Sequence, residues 1–131
     1  MITRLLNFLD ASPVNFLAVQ NIVNELEAAG YRRIDPQMPI GKVEAGDKLF
    51  VTKNDSSVYA FHIGNKPLAD SGFHMICAHC DSPTFRIKPN AEILCEGGIV
   101  KLNTEVYGGP IMSTWLDRPP TLAGRVLVKG D

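Results

Sequence analysis

The chain has little of what marks a membrane or nucleic-acid-binding protein. No apolar run approaches the ~20 residues needed to span a bilayer. The N-terminal "MITRLLNFLDASP" is broken by Asn7 and Asp10 and lacks a small-residue cleavage site, so it reads as an amphipathic helix rather than a signal peptide. Thirteen basic and fourteen acidic side chains leave a net charge of -1 with no Lys/Arg block, which argues against nucleic acid or a membrane surface as partner. Cysteine is scarce: three residues, an odd number without a secretion signal, predict reduced thiols in a cytoplasmic setting and no disulfide framework. Gly-rich phosphate loops, a Gly-x-Ser-x-Gly elbow and a His-Glu-x-x-His helix are all missing, as are internal repeats and low-complexity segments.

What remains is a globular composition. With 131 residues and 45% hydrophobic side chains, the chain can bury a core as one domain or as part of a larger one. "ASPVNFLAVQNIVNELEAAG" predicts the strongest helix, with Ser12 as N-cap, Pro13 at the first helical position, Phe16, Val19, Val23 and Leu26 on one face, and Gly30 as the stop. Residues 2–9 carry a shorter helical pattern, and residues 31–46, with Pro36, Pro39 and Gly41, read as a connector. "KLFVTK" and "SVYAFHI" around Asn54 and Asp55 predict a hairpin of residues 48–53 and 57–63. The continuous apolar run "FHMICAH" predicts a buried central strand. Beyond Pro83 the segments "FRIKP", "EILCE", "GIVKLNTEVY" and "LAGRVLVK" all carry strand signals, and in the third Val100, Leu102, Thr104 and Val106 alternate with polar residues as a buried face would. Helices, then mixed structure, then strands alone suggest an α/β layer, residues 1–88, followed by the opening of a separate β-rich unit, residues 89–131. The last strand reaches the C-terminus with no helix to close that unit, so the expectation is an incomplete folding unit.

Chemistry concentrates in "MICAHCDS", residues 75–82, where three readings compete. Cys77 and Cys80 have thioredoxin-like spacing, but that chemistry needs a following helix to lower the thiol pKa, and Pro83 and strand-like residues follow instead. Cys77, Cys80 and Cys95 with one of His62, His74 or His79 could fill a four-ligand zinc site by count. The spacing does not favour it, and Cys77 and Cys95 are expected to be small buried hydrophobes, with His62 and His74 structural. In the third reading, His79 and Asp81 project from one face at the C-terminal end of a strand, where open α/β sheets place ligands. An imidazole there can bind Zn²⁺ through one nitrogen while the carboxylate orients the ring. One histidine by itself is not a metal site, and spacing alone leaves a structural role open. Tyr107, Trp115, Asp117 and Arg118, between Gly108-Gly109 and Pro119-Pro120, read as a surface turn with an Asp-Arg pair and an anchoring tryptophan.

"AHCDSPTFRIKP" followed by "VYGGPIMSTWLDRPPTLAGRVLV" closely resembles the aspartyl aminopeptidase family of cytoplasmic dinuclear zinc aminopeptidases, whose pattern is approximately Ala-His-Thr-Asp-Ser-Pro, then Tyr-Gly-Gly to Trp-x-Asp-Arg to Leu-Ala-Gly-Arg. The segments "LLNFLDASPVNFLAVQNIVNELEAAGY" and "KLFVTKNDSSVYAFHIG" resemble the family too, so the likeness spans nearly the whole chain. Cys80 stands where the family usually has Thr, Leu17 where His is common, and Pro110 and Pro120 interrupt the second motif. The resemblance implies an α/β/α catalytic domain carrying two Zn²⁺, with an inserted β-rich domain that drives homo-oligomer assembly. It implies peptide substrates cut at the N-terminus, His79 as a metal ligand and Asp81 as the catalytic-site acid supporting the metal. Asp117 and Arg118 fall at the start of the inserted domain and receive no role. The bridging Asp, the general-base Glu with its neighbouring Glu ligand, and the last Asp and His ligands are implied to lie beyond residue 131. The expectation is therefore an N-terminal fragment inactive alone. The alternatives are a truncated product acting only in assembly or binding, and a small Cys-based zinc module.

Overall fold

The computed structural model describes residues 1–130 and divides them into two compact units, Met1–Asp81 with the returning segment from Ala123, and Ser82–Leu122. The boundary expected between residues 88 and 89 lies within a strand of the second unit.

In the first unit, α1 (Ile2–Asp10) and α2 (Asn15–Ala28) precede a three-stranded sheet of order β1-β2-β3, from β1 (Arg32–Arg33), β2 (Lys48–Lys53) and β3 (Ser57–His62). β1 is parallel to β2, a two-residue strand inside the expected connector, and β2 and β3 form the predicted antiparallel hairpin with Lys53 opposite Ser57. Asn54 and Asp55 both take left-handed backbone, φ 52° and 53°, which these two residue types tolerate better than most and which a tight hairpin turn requires.

α2 ends as the sequence predicts. Gly30, at φ 82°, donates its amide to the Glu27 carbonyl, and the Tyr31 amide reaches the Leu26 carbonyl at 2.9 Å, a left-handed glycine cap that satisfies the last carbonyls. The start of α2 differs from expectation. Val14, not Ser12, is the N-cap, and no side chain caps it. Ser12 is engaged elsewhere: Asn21 Nδ2 donates to Ser12 Oγ and to the Ala11 carbonyl, both at 3.0 Å, tying the α1–α2 corner to the middle of α2. Of the predicted face, Val19 and Val23 are buried against Phe50, which is 0% exposed, with Leu26, Tyr31, Val58 and Cys80 packed around them.

The expected central strand at residues 73–79 does not form. Residues 73–79 have neither helix nor a strand partner among the described residues, and Phe73, Met75 and Ile76 are exposed, Ile76 fully so. An apolar run becomes a central strand only when neighbours satisfy its backbone on both edges. Within the first unit β2 holds the central place between β1 and β3. Cys77, expected inside, is exposed, and Cys80 contacts the core instead. The polar loop before this run contains a one-turn helix, α3 (Leu68–Ser71).

The second unit is an antiparallel ribbon of β4 (Thr84–Leu94) and β5 (Val100–Tyr107). "FRIKP" and "EILCE", expected as two strands, run on as the single β4, with the register breaking between Ile87 and Glu92. Pro89 sits in that irregularity, where no ladder donor is needed, and Asn103 Nδ2 bonds the Asn90 carbonyl across it at 3.0 Å. The predicted buried face of β5 is exposed: Val100, Leu102 and Val106 are each about half accessible, since a two-stranded ribbon has no layer to cover either side. Cys95 is only partly covered. "LAGRVLVK" forms no strand, and Val126, Leu127 and Val128 are exposed. At the ribbon's base, Gly108 at φ 73° leaves room for only a 3.4 Å approach of a Cβ to Pro83 Cα.

Two outcomes test this packing. Phe50→Ala should destabilise the first unit by about 3–5 kcal/mol, because a fully enclosed ring leaves a cavity that α2 and the sheet cannot close, and denaturant unfolding followed by circular dichroism measures it. Gly108→Ala should cost about 1 kcal/mol or more through its left-handed backbone, read from amide exchange across β4 and β5.

Candidate functional site

His79 and Asp81 meet without the strand that was expected to align them. A direct side-chain contact between residues two apart brings them together without a ladder. His79 Nδ1 lies 2.9 Å from Asp81 Oδ1 and 2.9 Å from the Asp81 main-chain carbonyl oxygen. Both partners are acceptors, so the neutral ring carries its proton on Nδ1 and keeps the Nε2 lone pair outward. The His79 side chain is 81% exposed and that of Asp81 41%. The ring is therefore oriented by its neighbour while its second nitrogen faces open space.

That donor set fits one ligand position of a zinc centre together with the carboxylate that holds the ligand in place. It does not complete a site, for among the described residues no three His, Cys, Asp or Glu side chains gather where a metal ion could be held. The cysteine-based zinc set of Cys77, Cys80 and Cys95 with His62, His74 or His79 is likewise not assembled there. Cys77 and Cys80 are free thiols, and the residues after them run into β4 rather than a helix, so no helix N-terminus is available to activate them. His62 ends β3 opposite Lys48, and His74 is exposed on the unpaired segment.

Cys80 lies between the histidine and the carboxylate, yet it turns to the core cluster of Val19, Val23 and Phe50. His79 is exposed while its neighbour Cys80 packs inward, so the chain at this point presents the ring to solvent and seats the thiol on the core. The sequence reading gave Cys80 no packing role, and its place beside His79 was the signal that could have found its anchoring contact. The second candidate cluster is partly as expected. Trp115 anchors its turn by an edge-on contact with Phe85, ring centres 4.8 Å apart at 90°, while Arg86 lies over the Tyr107 ring at 5.0 Å. Asp117 takes left-handed backbone, φ 59°, and no Asp117–Arg118 ion pair forms among the described residues.

Residues 8–131 match the family model described as aminopeptidase I zinc metalloprotease (M18). The chain belongs to this family. A probable M18 family aminopeptidase 2 of Clostridium novyi (strain NT) is 49% identical over 128 residues, which cover 98% of this chain and 29% of the relative. The chain thus spans under a third of the length of that M18 relative. Among solved structures, that of Chaetomium thermophilum mApe1 aligns over 88% of this chain and 26% of its own at 33% identity with a TM-score of 0.79. A complex of Ape4 and Nbr1 aligns over 86% and 22% at 39% identity, also with a TM-score of 0.79. The mixed α/β architecture with small sheets is thus shared with M18 aminopeptidases, a family of zinc metalloproteases.

The tautomer of His79 gives a direct check of the geometry. Imidazole ¹⁵N shifts should report a protonated Nδ1 and an unprotonated Nε2 in the neutral ring, and Asp81→Ala should lower the Nδ1-protonated share. A neutral ring protonated mainly at Nε2 in the unsubstituted protein would contradict the geometry.

Proposed function

We propose that this chain is the N-terminal part of a zinc metallo-aminopeptidase that releases N-terminal residues, acidic ones among them, from peptides. The observation that carries the reading is the His79–Asp81 pair, with Nδ1 committed to the carboxylate and Nε2 presented outward. In this reading His79 is one ligand of a two-zinc site through Nε2, and Asp81 holds the ring's tautomer and orientation. Bound zinc supplies Lewis-acid polarisation of the scissile carbonyl. The chain's own contribution is to hold one ligand at a fixed angle, the local backbone placing the pair and Cys80 pinning that backbone to the core. The remaining ligands and the general base are not contributed by these 131 residues, so the chain alone is proposed to be inactive.

Residues 1–88 are assigned to the α/β/α catalytic domain and residues 89–131 to the opening of the inserted β-rich domain through which the enzyme assembles as a homo-oligomer. A cytoplasmic location completes the reading. No described helix is long and apolar enough to cross a membrane. A role confined to assembly or binding is the second reading, favoured by the exposed apolar side chains of the ribbon, among them Leu94, Ile99 and Val100.

A chimera separates the two. Residues 1–131 exchanged for the matching segment of the Clostridium novyi relative should give zinc-dependent release of N-terminal residues from peptides, abolished by chelator. His79→Ala in that chimera should remove activity, and Asp81→Asn should cost about 10- to 100-fold in activity or zinc affinity. A chimera that assembles like its parent but leaves peptides intact would favour the assembly reading. Full activity with His79→Ala would remove His79 from the site. Chelator-sensitive release by the 131-residue chain alone would overturn its proposed inactivity.

A further inference from the structure

The segment from Ala123 to residue 130 returns to the first unit without helix, strand or any main-chain hydrogen bond to it among those described. Its apolar residues Val126, Leu127 and Val128 are more than 80% exposed, so they contribute little to holding it. Arg125 is different. Its guanidinium lies 4.4 Å from the centre of the Phe16 ring on α2, one of its terminal nitrogens donates to the Asn54 carbonyl at 2.9 Å, and Asp55 Oδ2 lies 3.9 Å away.

We infer that Arg125 is the clasp that fastens this returning strap to the first unit, by stacking on Phe16 and tying the β2–β3 turn. The contact suits arginine specifically, since a planar, weakly hydrated cation can lie on a ring and direct its edge donors at a carbonyl at once. The acceptor is presented by strained backbone: Asn54 and Asp55 are both left-handed, which turns the Asn54 carbonyl out of the hairpin ladder. The carboxylate of Asp55 adds charge at a distance and with 70% exposure that make it the weakest of the three contacts. Phe16, on the predicted apolar face of α2, is not in the central core cluster, and Arg125 gives its half-covered ring a partner. Among the described residues, the side-chain hydrogen bond and the ion pair from this strap to the first unit both come from Arg125, which reaches Asn54 over a separation of 71 residues.

The test is ¹⁵N relaxation on the 131-residue protein. Arg125→Ala should drop the order parameters of residues 124–126 below about 0.6, the flexible range, while residues 17–24 of α2 keep theirs. Arg125→Lys should recover only part of the loss, because an ammonium keeps the charge but not the plane. If α2 loosens together with the strap, Phe16→Leu decides: it removes the ring from a position outside the core cluster and should free residues 124–126 alone. Unchanged order in Arg125→Ala, full recovery with lysine, or an ordered strap in Phe16→Leu would each overturn the clasp.

Discussion

The packing of Val19 and Val23 of α2 against Phe50 of β2 is the contact on which the first unit depends. Five hydrophobic residues in the described chain are buried, and all five lie on α2 or β2. A core this small leaves each contact a large share of a marginal stability. It also explains which of the other features are ordered. The glycine cap of α2 turns Tyr31 onto the cluster, and β1 is laid beside β2 immediately afterwards. The hairpin supplies Val58 from its second strand, and Cys80 closes the rim.

The candidate site hangs from the same cluster by one thiol-bearing side chain. In a segment without ladder bonds, the direction of each side chain rests on what it and its neighbours touch. Cys80 touches the core, while the His79 ring beside it stays exposed and meets Asp81. Their mutual hydrogen bond then sets which nitrogen of the neutral ring carries the proton. A threonine at this position would be similar in size and would fill the same rim while bringing a hydroxyl that needs a partner. The cysteine avoids that demand.

The second unit shows the opposite regime. Its ribbon has register, a bulge that accommodates Pro89 and an aromatic contact at its base, but no buried residue at all. Local rules are sufficient for a hairpin's pairing and insufficient for a core, which requires a second layer. The β-rich character of residues 82–122 was therefore visible in the strand signals, whereas the expected inside and outside of β5 were not realised.

The sequence by itself determined the elements whose causes are local: α2 and its glycine stop, the Asn54-Asp55 hairpin, and the proximity of His79 and Asp81, two residues apart. It also carried enough ordered motifs to place the chain in its family. Tertiary structure decided the rest. Ser12 accepts from Asn21 on α2 instead of capping the helix, and residues 73–79 stay unpaired while β2 holds the centre of the sheet in this unit. Cys80 rather than Cys77 reached the core, and Arg125 found Phe16 and Asn54 from the far end of the chain. Each of these turns on a partner distant in sequence, and a pattern of residue types records what a side chain can do but not which of several partners will be within reach of it.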